Sequence, residues 1–241
     1  MVIIMKWSEH YKINTHDCDT EGYVRASLVQ RYMQETANMQ MKHDGPSNEE
    51  LRDMNMAFLL SRINVNIYSP LFANDEIDVT SWGCESRGAS FNRCYQIKRE
   101  NEIVAEASSV WGLIGITDHR IVRVGEVEMH FGIDEPLEMD APRIRIPRDL
   151  ELTFAGERPI VYSDLDRNHH MNNTNYPDMF CDFIPEMAGK RVTSMGISYV
   201  NDAPLGEILK VYTSKSNGVW HIRTVRSSDG LVNSEANITI E

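Results

Sequence analysis

The sequence predicts an α+β protein built from two similar halves, each of which combines one long helix with a mostly antiparallel sheet. Two observations along its 241 residues carry this prediction. An acidic loop, Asp17-Cys18-Asp19, returns 147 positions later as Asp164-Leu165-Asp166, and a segment with helical periodicity follows both copies. After each helical segment the apolar residues change to the period of two that is typical of strands.

In the first half, a strand is predicted near residues 7–13 and a helix over residues 27–43. The apolar residues of the helix recur at helical spacing, and Gly45 stands just beyond its end, where glycine commonly terminates a helix. From residue 57 onward several segments have the period of strands: FLLSRINVNIY, EIDVTSWGCES, SFNRCYQIKRE and EIVAEASSVWGLIGIT. Glu100-Asn101-Glu102 is predicted to be the turn between the last two.

Between residues 124 and 153, proline and acidic residues replace the periodic pattern, which indicates a linker. The second half then repeats the order of the first, with a strand near residues 157–162, the acidic loop, a helix from about residue 175 that Pro185 ends, and further strands. We therefore predict three units, which are an N-terminal domain, a linker and a C-terminal domain at residues 1–135, 136–155 and 156–241.

A second match supports the repeat, because residues 63–70 overlay residues 197–204 at an offset of 134. Ile63 and Pro70 of the first segment coincide with Ile197 and Pro204 of the second. The two offsets differ, so the length difference between the halves lies between the helix and the next strand.

The composition is that of a globular protein, with 41% hydrophobic and 25% charged residues. A net charge of -12 argues against a nucleic-acid partner, because phosphate binding requires clustered lysine and arginine. Arg143, Arg145 and Arg148 form the densest local basic cluster, which either docks an acidic protein partner or is solvated linker charge.

The cysteines and the lengths of the apolar runs indicate where in the cell the protein is located. Cys18, Cys84, Cys94 and Cys181 contain no CxxC pair, so neither a zinc site nor a disulfide scaffold is indicated, and reduced thiols in a cytoplasm fit best. The apolar run at the N-terminus is too short for a signal peptide, and no run approaches the roughly 20 apolar residues of a membrane helix. We expect a cytoplasmic protein with no membrane partner.

The second acidic loop carries the residues best suited to chemistry. Asp166, Asn168 and His170 alternate, so they point the same way if the loop is extended. A carboxylate, an amide and an imidazole on one side can polarise a carbonyl group and move a proton. Asp202, near the end of a following strand, is the candidate fourth member.

The first half lacks these side chains, because Glu21 stands opposite Asn168 and Tyr23 stands opposite His170. Capping of the next helix is the competing interpretation, and we favour it for the segment NNTN at residues 172–175. A calcium loop is excluded in the first half because Leu28 occupies the twelfth position, where a glutamate is required. We expect no metal and no cofactor.

The segment SDLDRNHHMNNTNY resembles the D-x-N-x-H-(V/M)-N-N-x-x-Y signature of the acyl-acyl carrier protein (acyl-ACP) thioesterases. The resemblance extends over the whole chain, including SSVWGLIGITDHRIVRV and the strand that ends at Asp202-Ala203. It implies a tandem (double) hot dog fold, in which each half is a curved, mostly antiparallel sheet wrapped around a long central helix. It also implies hydrolysis of fatty acyl-ACP to free fatty acid and carrier protein, which ends fatty acid synthesis, with acylated carrier protein as the partner and a homodimer as the assembly.

By this resemblance, the catalytic Asp, Asn and His of the family fall on Asp166, Asn168 and His170. The catalytic Glu falls on Asp202, which is one methylene shorter, and the Cys that follows it in plant members is Ala203 here. The plastid transit peptide of plant members has no counterpart, so a bacterial cytoplasmic protein is expected.

The expected roles follow from these positions. Asn168 and His170 hold and polarise the thioester, Asp166 orients that pair, and Asp202 either activates water or attacks the carbonyl group itself. The first half, without the polar groups, is expected to hold the acyl chain.

Two other functions stay open. One is a hot dog enzyme of another kind, either an acyl-coenzyme A thioesterase or a hydroxyacyl dehydratase. The other is a non-catalytic acyl-binding module, against which the pair of Asp166 and His170 argues, because a passive apolar slot has no use for costly buried polar groups. Acyl chain length and the choice between carrier protein and coenzyme A are not readable from the sequence.

Overall fold

The computed structural model of the protein describes residues 5–241 and confirms the α+β class. These residues form eleven strands and three α-helices. The first half contains β1 (Trp7–Lys12), α1 (Ala26–Asp44), α2 (Asn48–Asp53), β2 (Met56–Ile67), β3 (Glu76–Arg87), β4 (Ser90–Arg99), β5 (Glu102–Gly115) and β6 (Ile121–Val122). The second half contains β7 (Thr153–Pro159), α3 (Tyr176–Asp182), β8 (Val192–Tyr199), β9 (Ile208–Ser216), β10 (Val219–Arg226) and β11 (Val232–Ile240).

The strands form one continuous antiparallel sheet in the order β1-β3-β4-β5-β2-β8-β11-β10-β9-β7, with the short β6 beside β5. The halves meet where β2 pairs with β8, and Ile63 lies directly opposite Ile197 there. Outward from this pair the strand order is the same on both sides. The sequence repeat is therefore also a repeat of topology, and the double hot dog fold is confirmed.

The helix predicted over residues 27–43 is α1. Val29, Met33 and Ala37 are buried in the core, whereas the opposite face of α1 is exposed to solvent. The helix ends at Gly45, whose φ of 79° lies in the left-handed region and whose N–H donates to the carbonyl oxygen of Met41 at 2.8 Å.

The second-half helix is shorter than the long helix that the repeat predicts, because α3 has 7 residues and α1 has 19. A single 3₁₀ turn, Asn173–Asn175, precedes α3. At the other end the N–H of Ile184 bonds to the carbonyl oxygen of Cys181 at 3.1 Å, which tightens the last turn before Pro185. A residue that precedes proline is disfavoured in the helical conformation, and α3 ends at Asp182, two residues before Ile184.

The segment between β6 and β7 lies along the face of the sheet opposite α1, and the last three residues of the predicted linker, 153–155, belong to β7. The indole of Trp82 donates to the carbonyl oxygen of Glu135 at 2.9 Å, and the hydroxyl of Ser108 donates to the carbonyl oxygen of Met139 at 2.7 Å. Further along, the N–H of Ile144 donates to the Ser198 hydroxyl at 2.8 Å. The linker is thus fixed to strands of both halves.

Among residues 5–241 no helix combines the length and the apolar character needed to cross a lipid bilayer.

Candidate active site

Asp166 closes a tight turn with its own side chain. Its main-chain N–H donates to the carbonyl oxygen of His170 at 2.9 Å, and its Oδ1 accepts from the N–H groups of Asn168 at 2.7 Å and of His170 at 3.4 Å. His169 completes the turn with a φ of 62°. The loop is therefore not the extended segment in which alternate side chains share one face, and the carboxylate of Asp166 holds the backbone.

The first half forms the same turn around Asp19. The N–H of Asp19 donates to the carbonyl oxygen of Tyr23 at 2.8 Å, and its Oδ1 accepts from the N–H groups of Glu21 at 2.9 Å and of Tyr23 at 3.0 Å. Gly22, with a φ of 87°, takes the place that His169 has in the second half. The backbone of the two loops is shared, so the chemical difference lies in the side chains that they present.

His170 and Asp202 are in direct contact. The His170 Nε2 atom lies 2.8 Å from the Asp202 Oδ2 atom, and the side chains are 38% and 50% exposed. The contact forms because the N–H of Met171 donates to the carbonyl oxygen of Ala203 at 2.8 Å, which places the loop beside the segment that follows β8. The structure thus brings together two of the sequence-predicted site residues and leaves them accessible to water.

Arg226, at the end of β10, binds the other oxygen of Asp202. Its Nη1 atom donates to Asp202 Oδ1 at 2.8 Å and to the carbonyl oxygen of Asp202 at 3.2 Å. The guanidinium also forms an ion pair with Asp229, and the hydrogen bond to Asp229 raises the pKa of Arg226. No local sequence pattern distinguishes Arg226 from other strand arginines, so sequence reasoning missed it.

Asn168 is held by a residue from the other half. Its Oδ1 accepts from the Arg52 guanidinium at 2.5 Å, and its Nδ2 lies 3.4 Å from an oxygen of Asp166. Arg52 belongs to α2, which the sequence analysis did not predict. The sequence does contain a signal for the start of α2, because Ser47 and Glu50 have the spacing of a capping box. In the structure they form one.

In the NNTN segment, Asn172 caps the 3₁₀ turn before α3 rather than α3 itself, whose own N-cap Asn175 makes no side-chain cap bond, and the segment also joins the two halves. The Asn172 side chain accepts from the N–H of Thr174 at 2.9 Å. Beside it, the Asn173 Oδ1 atom accepts from the side-chain amides of Gln34 at 2.7 Å and of Gln30 at 3.2 Å, both on α1. These contacts fix the second-half loop against the first-half helix.

A cavity of about 1700 Å³ lies between α1, α2, the strands β4 and β5, residues 124–133 and the acidic loop. This volume exceeds the roughly 300–1,000 Å³ of ordinary small-molecule pockets. Asp166 and Asn168 lie in the cavity wall, whereas His170 and Asp202 are outside its lining. Large apolar side chains form much of the wall, including Met39, Met41, Phe58, Phe91, Trp111 and Phe131.

The His170 and Asp202 pair has the geometry of a base and its orienting carboxylate. When the imidazole is neutral and Nε2 donates its hydrogen to Asp202, the lone pair lies on Nδ1, which is then free to accept a proton. Among residues 5–241 no three His, Cys, Asp or Glu side chains lie close enough together to bind a metal ion. The contact between His170 and Asp202 is itself suited to acid–base chemistry.

Known proteins match this chain along most of its length. The family model for the acyl-ACP thioesterase N-terminal domain matches residues 5–129, and the model for the C-terminal domain matches residues 150–241. The chloroplastic palmitoyl-acyl carrier protein thioesterases of Cuphea hookeriana and Arabidopsis thaliana are 22% and 23% identical to this chain over 224 residues. Each match covers 86% of this chain and 54% of the relative, so the chain spans about half the length of these relatives.

Solved structures share the fold over the full length. An acyl-ACP thioesterase from Bacteroides thetaiotaomicron has a TM-score of 0.87 at 18% identity, and the match covers 98% of each chain. The 12:0-ACP thioesterase from Umbellularia californica has a TM-score of 0.85 at 16% identity, with 100% of this chain and 99% of that chain covered. With both family models matched along its length, the chain belongs to the acyl-ACP thioesterase family.

Proposed function

We propose that this protein hydrolyses fatty acyl thioesters of acyl carrier protein and releases a free fatty acid and the carrier protein. The observation that carries the proposal is the 2.8 Å contact between His170 and Asp202, next to a loop that also lines a large, partly apolar cavity. Family membership supports the same reaction, and the names of the relatives specify acyl-ACP thioesters as their substrates.

In the proposed mechanism His170 is the general base. Its Nδ1 takes a proton from water, and the water oxygen bonds to the thioester carbonyl carbon. The carbon–sulfur bond then breaks, and the leaving thiolate takes up the proton from His170. Asp202 stabilises the imidazolium that forms between these steps, because its Oδ2 faces Nε2.

Asp202 itself is less suited to attack the carbonyl group. One of its oxygens binds His170 and the other binds Arg226, and both contacts make the carboxylate a weaker nucleophile. The geometry therefore favours activation of water over a covalent intermediate, which are the two roles that the sequence left open.

Asn168 and Asp166 have supporting roles in this mechanism. The Asn168 oxygen is engaged by Arg52, so its Nδ2–H₂ group is the side that polarises the thioester carbonyl group. The long 3.4 Å contact from that nitrogen to Asp166 leaves it able to bind a stronger acceptor. Asp166 is a positioning residue, because its carboxylate shapes the turn that carries both Asn168 and His170.

The acyl chain is proposed to lie in the cavity, mostly against the N-terminal domain at residues 1–135. The wall there combines α1 with the aromatic side chains of β2, β4 and β5. In this proposal residues 136–155 are the linker, and the catalytic domain at residues 156–241 presents the reacting groups. A bacterial cytoplasmic location and a homodimer stay predictions of the sequence.

A basic cluster on the linker is a candidate docking surface for an acidic partner. Arg143, Arg145 and Arg148 are exposed, and none of them forms an ion pair within residues 5–241. Burial and, to a smaller extent, the charge of Arg143 lower the pKa of Arg62 on β2.

The test is to incubate the purified protein with a panel of acylated carrier proteins and acyl-coenzyme A esters of different chain lengths. A thiol-reactive dye follows thiol release, and mass spectrometry identifies the liberated acids. Release of thiol and acid in equal amounts, faster from carrier protein than from coenzyme A, supports the proposal. A dehydratase releases no thiol, and an acyl-binding module shows bound lipid without turnover.

A further inference from the structure

The cavity wall contains a buried cation without an anionic partner. Arg93, on β4, is 7% exposed, and its Nη1 atom donates to the Gln40 side-chain oxygen at 2.7 Å and to the Ser81 hydroxyl at 2.8 Å. Both partners are neutral. Within residues 5–241 no carboxylate lies within 4.0 Å of this guanidinium, and burial lowers the pKa of Arg93. An arginine nevertheless stays protonated in proteins, so the charge is retained.

Several hydrogen-bond donors around Arg93 have no acceptor in the protein. They are the Nη2 atom of Arg93, the Nε2 atom of Gln40 and the hydroxyl group of Tyr95, all of them buried. A buried donor without a partner costs free energy, and a buried charge without a partner costs more. The cluster therefore presents unmet donors and a positive charge at one place.

This cluster faces the cavity. Phe91, Arg93 and Tyr95 alternate along β4 on the side that faces α1, and all three line the cavity that Asp166 also lines. The ring of Phe131, from the segment after β6, lies 4.9 Å from the guanidinium carbon.

We propose that the acyl group accepted by this cavity carries an oxygen on its chain, as a hydroxyl, keto or carboxylate group, and that Arg93 binds this oxygen. The inference rests on the proposed hydrolase function and specifies its substrate class. An unsubstituted hydrocarbon chain would leave the Arg93 and Tyr95 donors unpaired. A site built to hydrogen-bond a substrate oxygen discriminates strongly against the analogue that lacks it.

Asp44 offers the competing explanation. Its charge acts on Arg93, one of its oxygens is buried without a partner, and the other lies 2.9 Å from the His43 ring. If the charge of Arg93 serves only to neutralise that of Asp44, the cluster has a structural role and the acyl chain does not contact it. Substrate preference separates the two, because a structural pair affects all substrates equally.

The experiment compares thioesters of matched chain length that end in a methyl, a hydroxyl or a carboxylate group, at several lengths. For the wild-type protein we expect kcat/KM for an oxygenated chain to exceed that for the unsubstituted chain by about tenfold to a hundredfold, the range of one hydrogen bond to a charged group. Arg93→Met should abolish this preference, and Arg93→Lys should retain part of it. Arg87→Met is the matched control, because Arg87 is an exposed residue of β3 paired with Glu85.

Calorimetric binding of the three free acids to the wild-type protein gives a readout that needs neither a variant nor turnover. Tighter binding of the oxygenated acids supports the subsite even if no thioester is hydrolysed, in which case the proposed function alone fails. Hydrolysis with equal or better use of unsubstituted chains overturns the subsite and leaves the function standing. If Arg93→Met lowers kcat/KM equally for all substrates, the cluster has a structural role, and the subsite proposal is also overturned.

Discussion

The same nitrogen of Arg226 donates to the side chain and to the main chain of Asp202, at 2.8 Å and 3.2 Å. Asp202 stands where the family resemblance places a glutamate, and an aspartate reaches one methylene less far. The structure compensates in two ways. The segment after β8 lies beside the His170 loop, and Arg226 fixes the carboxylate so that its second oxygen meets the imidazole.

Replacing Arg226 tests whether its hydrogen bonds to Asp202 hold the carboxylate in place, as a clamp, for catalysis. Arg226→Met should lower kcat by about 10-fold to 100-fold with a small change in KM, because a misplacement of a reacting group by about 1 Å costs on that scale. Arg226→Lys should recover part of the loss. Arg223→Met, on the same strand and facing Glu235, is the control and should leave kcat unchanged. An unchanged kcat in Arg226→Met would show that Asp202 needs no clamp.

Replacing His170 tests its proposed role as the general base. His170→Ala should lower turnover by about 10² to 10⁴, the usual contribution of a positioned acid or base. The half-exposed ring contributes little to the core, so circular dichroism and the melting temperature should stay close to those of the wild type. Tyr23→Phe changes the equivalent position of the first-half loop and should affect substrate binding more than kcat. Full activity of His170→Ala would remove the proposed mechanism.

Replacing Arg52 tests the contact between the halves. Arg52→Met frees the oxygen of Asn168, and we expect kcat/KM to fall by about tenfold, as for the loss of one hydrogen bond to a charged group. Arg167→Met removes the neighbouring exposed pair with Glu49, whose attraction is weakened by solvent, and should change activity little. Steady-state kinetics of both variants decides the point, and equal behaviour of the two would contradict it.

Glu207 should make the second half of the sheet sensitive to acid near the site. It is 8% exposed, and burial alone would raise its pKa. The hydroxyl of Ser228 and the N–H groups of Ile208, Ser227 and Ser228 donate to its carboxylate and outweigh burial, so the pKa of Glu207 is lowered.

A carboxyl group with a lowered pKa in the folded state stabilises the fold above its unfolded pKa of about 4.3, and this contribution is lost as the pH falls through the folded pKa. Glu207→Gln should therefore lower the free energy of unfolding at pH 7, and the difference from the wild type should shrink below about pH 4. Urea unfolding across this range measures it, with Glu138→Gln on the exposed linker as the control. A difference that is independent of pH would contradict the assignment.

Enlarging the cavity should change the preferred acyl length. Phe91 lines the cavity, and Phe91→Leu should shift the profile of kcat/KM toward longer chains because it adds space beside α1. Phe180→Leu is the control, since Phe180 is also buried, in the second-half core, but lies outside the cavity lining. If both variants keep the wild-type profile, the acyl chain lies elsewhere.

The sequence could predict the features that depend on local periodicity and on the repeat. The helix over residues 27–43, the turn at Glu100-Asn101-Glu102 and the equivalence of Asp19 and Asp166 all follow from residues close together in the chain. The structure contains α1, the turn and the same hydrogen-bonded loop in both halves. The length of α3 was not predictable in this way, because packing and the local bonds of Asn172 and Asn173 determine where it begins.

The repeat, the α+β class and the family could all be predicted from the sequence alone, because they depend on residue patterns within each half. Which side chains from distant parts of the chain come into contact depends on the tertiary structure. Examples are Arg226 with Asp202, Arg52 with Asn168, and Cys84 with Cys94, whose sulfur atoms are 3.4 Å apart although no motif links them. Such contacts depend on strand register and on the packing of one half against the other. A shift of one residue in register turns a side chain to the opposite face of the sheet, and no local pattern fixes that outcome.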